Sequence, residues 1–169
     1  FFQLIANKQF PATVWVRTMQ QLDYLEEPDM FHDVFGHVPL LTIPVYCEFL
    51  AKLSEMALGH LDRPDIIDRL TRIYWYTIEF GLFRQPGHQA QIYGAGILSS
   101  VGESNLSVSE ESVKFDFDVQ HILDTGYIKE TFQSQYFCIN SFEQLLNSLP
   151  AIEEALNKLR KQDLVSIDS

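Results

Sequence analysis

The sequence predicts a single, mainly α domain with a few short strands. Its 169 residues are the size of one ordinary domain. Apolar residues make up 46% and aromatic residues 13%, enough for a packed core and too much for a disordered chain. Helical periodicity recurs from residue 27 onward, whereas β-type runs are few and short.

In chain order, residues 12–18 (ATVWVRT) are β-branched and aromatic, which suits a short strand or an extended edge. Pro28 then favours a helix start, and Gly36 with Pro39 a stop, giving about two turns. A second helix is expected from Pro44 to Gly59, with Tyr46, Phe49, Leu50, Leu53 and Met56 on its apolar stripe. The third, from Asp65 to Phe83, is the most apolar and reads as central and buried. Residues 91–103 (QIYGAGILSSVGE) read as turns around one short segment, and the polar run from Ser104 to Ser112 as a surface loop. Short strands are expected around Phe115–Val119 and Gln135–Ile139. Ser141 and Gln144 have capping-box spacing, and Pro150 is expected to break the last helix before Ala151–Gln162.

Twelve basic and 23 acidic residues leave a net charge of −11. A field of that sign repels phosphate backbones and anionic lipid, which argues against nucleic acid or a membrane surface as partner. No apolar run approaches the roughly 20 residues of a bilayer span. Cys47 and Cys138 have no metal-type spacing and read as two thiols in a reducing, cytoplasmic setting. The chain opens on Phe1-Phe2, without Met and already apolar, which reads as part of a longer polypeptide.

The chemistry concentrates in PDMFHDVFGHVP, residues 28–39. On an unbroken helix His32 and His37 would point about 140° apart. A left-handed Gly36 after the helix is expected to fold His37 back toward His32. A third ligand should be acidic and buried, and Glu79 is the only carboxylate in IYWYTIEFGLF, residues 73–83. Such a group is costly unless paired, protonated or bound to a cation. Two imidazoles and one carboxylate suit non-haem Fe(II) with open positions for dioxygen, and zinc accepts the same set. Each residue also has a plainer reading: a satisfied core histidine, or a Glu79 salt-bridged to Arg72 or Arg84. Together with the glycine stop, the metal reading is the better one. His60, His88 and His121 lack partners at ligand spacing and read as surface residues.

With these residues in place, the chain resembles the catalytic domain of the tetrahydropterin-dependent aromatic amino acid hydroxylases, in particular the bacterial phenylalanine 4-hydroxylases. FFQLIANKQFPATVWVR, LDYLEEPDMFHDVFGHVPLLTIP, RIYWYTIEFGLF, IYGAGILSSVGE and FQSQYFCINSFEQL carry the resemblance in order. It implies the catalytic-domain fold of that family over residues 1–169, with an N-terminal part missing. It also implies hydroxylation of L-phenylalanine to L-tyrosine using Fe(II), a tetrahydropterin and dioxygen. His32, His37 and Glu79 match the metal ligands and catalytic centre. Arg17, seven residues before Tyr24, matches an arginine that clamps the substrate carboxylate. Trp75, four residues before Glu79, matches a wall of the ring pocket, and Pro28, Phe80, Gly96 and Ser99 match other parts of it. Asp33, Tyr74 and Phe1 or Phe2 match the pterin side.

Three positions depart from the family pattern. Leu25-Glu26 stands where animal members have Thr-Pro, and Asp33 is shorter than the glutamate common at its place. The long C-terminal oligomerisation helix of animal members is absent here; a monomer is expected, with an oligomer as the alternative. Three other readings remain open: the same chemistry on tryptophan or tyrosine, a non-catalytic amino acid or pterin binder, and a zinc hydrolase with the same ligands.

Overall fold

The computed structural model describes residues 1–21 and 27–167, with side chains as far as Arg160. The Tyr24 and Leu25-Glu26 positions lie outside the described residues. Seven α-helices are described: α1 Phe2–Ala6, α2 Pro44–Leu58, α3 Pro64–Tyr74, α4 Ala95–Leu98, α5 Val101–Val108, α6 Val119–Asp124 and α7 Phe142–Ile167. Four short strands, β1 Gly81–Phe83, β2 Gln91–Ile92, β3 Val113–Asp116 and β4 Gln135–Ile139, form one sheet in the order β2-β1-β4-β3. The β4 strand pairs in parallel with β1 and β3, and β2 is antiparallel to β1. The mainly α class therefore stands.

The strand at Gln135–Ile139 falls where the sequence predicts it. Tyr136, Phe137, Cys138 and Ile139 are all buried because β4 is central and covered on both faces. Pro44 starts α2, where its missing N–H costs nothing. Tyr46, Phe49, Leu50 and Leu53 bury the stripe read from its periodicity, packed against α1 and α7.

Several expectations are overturned. Residues 12–18 form no strand; backbone N–H groups of Thr13 and Arg17 donate instead to the carboxylates of Asp33 and Asp29. The third helix ends at Glu79, and its last residues, Gly81–Phe83, are strand β1. Residues 91–103 hold a strand and two short helices rather than one segment, and α5 runs on into the expected polar loop. A Ser100 hydroxyl accepting from Glu103 N–H caps α5 at its start. Pro150 does not break α7. Leu145, Leu149, Ile152 and Leu156 bury a continuous stripe across it, and that burial outweighs one lost backbone bond. At the start of α7, Ser141 Oγ accepts from Gln144 N–H, while the Gln144 side chain reaches Asn140 N–H, one residue short of a full capping box. Cys47 is half-buried, Cys138 is buried, and both are free thiols. Among the described residues no single helix is long and apolar enough to cross a membrane.

Candidate metal and substrate site

Two π-helical segments, His32–His37 and Trp75–Glu79, build the centre. The first follows an α-turn that begins at Met30 and is capped by Asp29, whose Oδ1 accepts from His32 N–H at 2.9 Å. Val38 N–H then bonds Asp33 O, five residues back, and Phe80 N–H bonds Trp75 O in the same way. A turn that wide aligns residues five apart rather than three or four apart. It stacks His32 beside His37, and Tyr74 beside Glu79.

This corrects the role expected of Gly36. It is not left-handed: among the described glycines only Gly87 has positive φ. A Cβ at Gly36 would lie 2.6 Å from Ala95 Cβ and 2.8 Å from Ala95 Cα, so the glycine lets α4 sit directly against the histidine segment.

Three donor groups converge. His32 Nε2 and His37 Nε2 stand 3.0 Å apart. Glu79 reaches the first through Oε2 at 3.5 Å and the second through Oε1 at 3.3 Å. Ligands about 2.1 Å from one ion and near right angles to each other lie about 3 Å apart, so this set fits a single divalent metal held on one face. The surroundings fit as well. Ser99 Oγ lies 2.9 Å from His32 Nδ1, where accepting its proton leaves Nε2 with a bare lone pair. Tyr74 OH donates to Glu79 Oε1 at 2.9 Å. Burial pushes the Glu79 carboxyl up, but His37, His32 and the Tyr74 hydroxyl outweigh it and hold the group ionised, below the usual range. Burial lowers the His32 pKa against the opposing pull of Glu79, favouring the neutral ring a metal requires.

Asp33 also brings a carboxylate oxygen within 4.8 Å of the histidine nitrogens. Its Oδ2, however, is taken by Thr13 N–H at 2.7 Å and Thr13 Oγ1–H at 2.9 Å. The acid facing both Nε2 atoms is Glu79. The alternative ion pairs fall away, because Arg72 pairs with Asp68 and Arg84 with Asp116. His88 and His121 are exposed and His60 half-buried, and none of them approaches the site.

A cavity of about 400 Å³ opens beside the centre. His32 and Glu79 form its floor, and Trp75, Phe80, Pro28, Gly96 and Ser99 its walls. Gly96 leaves room for Phe80, whose ring would come within 2.8 Å of a Cβ there. The pterin-side candidates Phe1, Phe2 and Tyr74 line this same cavity, with Phe1 edge-on to Tyr74 at 5.0 Å. Asp33 and His37 are not part of its lining.

Arg17 also lines the cavity, with its side chain only 7% exposed. Its Nε and Nη2 donate to Asp29 at 3.0 and 2.7 Å, and Nη1 donates to Ser99 O. Burial works to raise the Asp29 carboxyl, but Arg17 and two backbone N–H groups hold it far below the usual range. Three of the five guanidinium N–H groups are thus engaged among the described residues, leaving two for a ligand carboxylate.

Sequence reasoning misses Asp29, Thr13, Gln133 and Glu103. Asp29 had a local signal, an acid just before a helical run. The others act across 20 to 58 residues of chain separation and leave no spacing to read.

The chain matches the biopterin-dependent aromatic amino acid hydroxylase family over residues 1–164. It is 48% identical to the phenylalanine-4-hydroxylase of Ralstonia nicotianae over 149 residues, 88% of this chain and 47% of the relative. The Chromobacterium violaceum phenylalanine-4-hydroxylase is 47% identical over 154 residues, covering 88% and 50%. A crystal structure of the C. violaceum enzyme with bound iron(III) and the oxidised cofactor 7,8-dihydrobiopterin superposes with a TM-score of 0.83 at 43% identity, covering 94% of this chain and 58% of that one. The chain spans about half the length of the curated relatives it matches. Family match, identity and superposition agree: the chain belongs to the biopterin-dependent aromatic amino acid hydroxylases.

Proposed function

We propose that residues 1–169 form the catalytic domain of a non-haem iron, tetrahydropterin-dependent monooxygenase that hydroxylates L-phenylalanine to L-tyrosine. The observation that carries this reading is the convergence of His32, His37 and Glu79 at the floor of an aromatic-walled cavity. Ferrous iron with a reduced pterin supplies the activation of dioxygen when both are bound. The protein supplies orientation. His32 and His37 would hold the metal through Nε2 and Glu79 through its carboxylate, with Ser99 fixing the His32 tautomer and Tyr74 the carboxylate. Arg17 holds the amino acid carboxylate with its two remaining N–H groups. Trp75 and Phe80 hold the ring, while Pro28 and Gly96 close the wall, so that water is excluded where the ring is attacked. Phe1, Phe2 and Tyr74, which line the cavity, would contact the pterin directly, and Asp33, outside that lining and bonded to Thr13, would reach it only at a distance.

Small molecules are the partners that suit this site, and the −11 charge weighs against nucleic acid and anionic membranes. A cytoplasmic monomer fits those partners. The test is tyrosine formation by iron-loaded protein given phenylalanine, tetrahydropterin and air, with tryptophan and tyrosine as competing substrates. Tyrosine formation dependent on both pterin and iron is expected. A protein that keeps zinc, forms no hydroxylated product and needs no pterin would overturn the reading in favour of a hydrolase.

A further inference from the structure

Behind the Trp75 wall lies a polar network that the proposed reaction leaves unused. The indole Nε1–H of Trp75 donates to Gln133 Oε1 at 2.9 Å. Gln133 Nε2 donates to the carbonyls of Ile128 and Thr131, at 3.0 and 3.3 Å, within its own loop. Its backbone N–H donates to Glu103 Oε1 at 3.1 Å, an oxygen that also accepts from Tyr136 OH at 2.6 Å. Gln133, Glu103 and Tyr136 are all buried, with 7%, 3% and 0% exposure. Each polarity is forced. An indole only donates and the two loop carbonyls only accept, so the amide must turn its oxygen to Trp75 and its nitrogen to the loop. Tyr127 stacks on the indole at 4.7 Å and Phe80 lies against it at 4.6 Å, but ring contacts alone permit sliding in the plane. The hydrogen bond removes that freedom.

We propose that Gln133 is a positioning residue: by holding the indole of Trp75 it sets the width of the slot that admits an aromatic side chain, and Glu103 holds Gln133. The same amide ties the loop carrying Lys129, Thr131 and Phe132, which line the cavity, to the wall contributed by Trp75. Wall and loop are thereby set by one side chain. Glu103 is suited to this task, because burial raises its carboxyl pKa while Tyr136 and Gln133 compensate its desolvation. This inference rests on the reading of the cavity as an aromatic amino acid site.

The experiment compares the iron-loaded wild type with Gln133→Leu, Trp75→Phe and the double variant. Its first readout, in the absence of substrate, is the indole N–H signal of Trp75, assigned by its loss in Trp75→Phe. In the wild type this proton should exchange at least about tenfold more slowly than that of Trp15, and Gln133→Leu should abolish the protection. The second readout is kcat/KM. For phenylalanine it should fall about tenfold in Gln133→Leu, with the preference over tryptophan narrowing. In the Trp75→Phe background the same change should have little further effect. Equal losses with and without the indole would reduce Gln133 to a loop-stabilising residue and overturn the proposal. So would an unprotected indole proton in the wild type, a result that decides the matter even if Gln133→Leu fails to fold. A wild type with a protected indole but no phenylalanine hydroxylation would sink the functional reading and leave the Gln133–Trp75 bond standing.

Discussion

Asp29→Asn is the substitution that touches the most parts of the site at once. The carboxylate accepts four hydrogen bonds: from Arg17 N–H, Nε and Nη2, and from His32 N–H. It is fully buried, and the Arg17 side chain keeps only 7% exposure. Asparagine preserves the shape but removes the charge and turns an NH₂ toward at least one existing donor. Breaking a buried ion pair on one side costs about 3–5 kcal/mol, and retained shape places this change near the lower end, about 3 kcal/mol. For a domain of this size that corresponds to a Tm lower by about 6–12 °C. Two functional effects should accompany it. Asparagine can still cap His32 N–H through its oxygen, but its NH₂ then faces Arg17 N–H and Nε. Arg17 loses its grip and shifts with the segment beneath His32, raising the KM for phenylalanine and weakening iron binding. The acid limb carries a second signature. Folded Asp29 titrates below its unfolded value of about 3.9, so its contribution is present above that pH and lost as pH falls toward the folded pKa. The stability gap between wild type and variant should therefore shrink below about pH 4. Urea titration across pH 3–7, with iron affinity measured at pH 7, reads all of this. A loss under about 0.5 kcal/mol with unchanged iron affinity would refute the assigned role.

Three further outcomes are expected. Gly36→Ala drives a methyl into Ala95 backbone and side chain and should cost about 1–3 kcal/mol while displacing His37; an unperturbed melt with full iron binding would contradict the close-packing role. Iron affinity should fall as pH drops through the lowered His32 pKa, because ligation needs the neutral ring; a profile flat from pH 7 to about 4 would count against His32 as a ligand. Pro150→Ala restores a backbone donor inside α7 and should stabilise the domain by about 1 kcal/mol or more, readable by calorimetry; an unchanged or lower Tm would show that the helix already accommodates the proline without strain.

The legible parts of the molecule are those where one local pattern dominates. From Tyr136 to Ile139 the β4 strand is an unbroken apolar run because it is sheathed on both sides, and α2 shows a plain stripe between Pro44 and Leu58. His32, His37 and Glu79 stand out because imidazoles and a carboxylate in apolar sequence need a physical excuse. The device that gathers them did not show. A π-turn has no composition of its own, and at 3.6 residues per turn residues five apart align only if the chain reverses, for example through a left-handed glycine. Pro150 misled for the converse reason: a breaker rule is local, while the apolar stripe that overrides it is tertiary. Gln133 and Glu103 were invisible because their partners lie far away in the chain.

The most direct test is X-ray absorption on protein loaded with one equivalent of Fe(II), comparing wild type with Glu79→Gln. Two imidazoles and at least one protein carboxylate at a single iron are expected in the wild type, with iron binding lost or much weakened in the variant while its circular dichroism stays native. Iron bound equally well by both proteins, or a wild-type spectrum lacking paired imidazoles, would contradict a centre held by His32, His37 and Glu79.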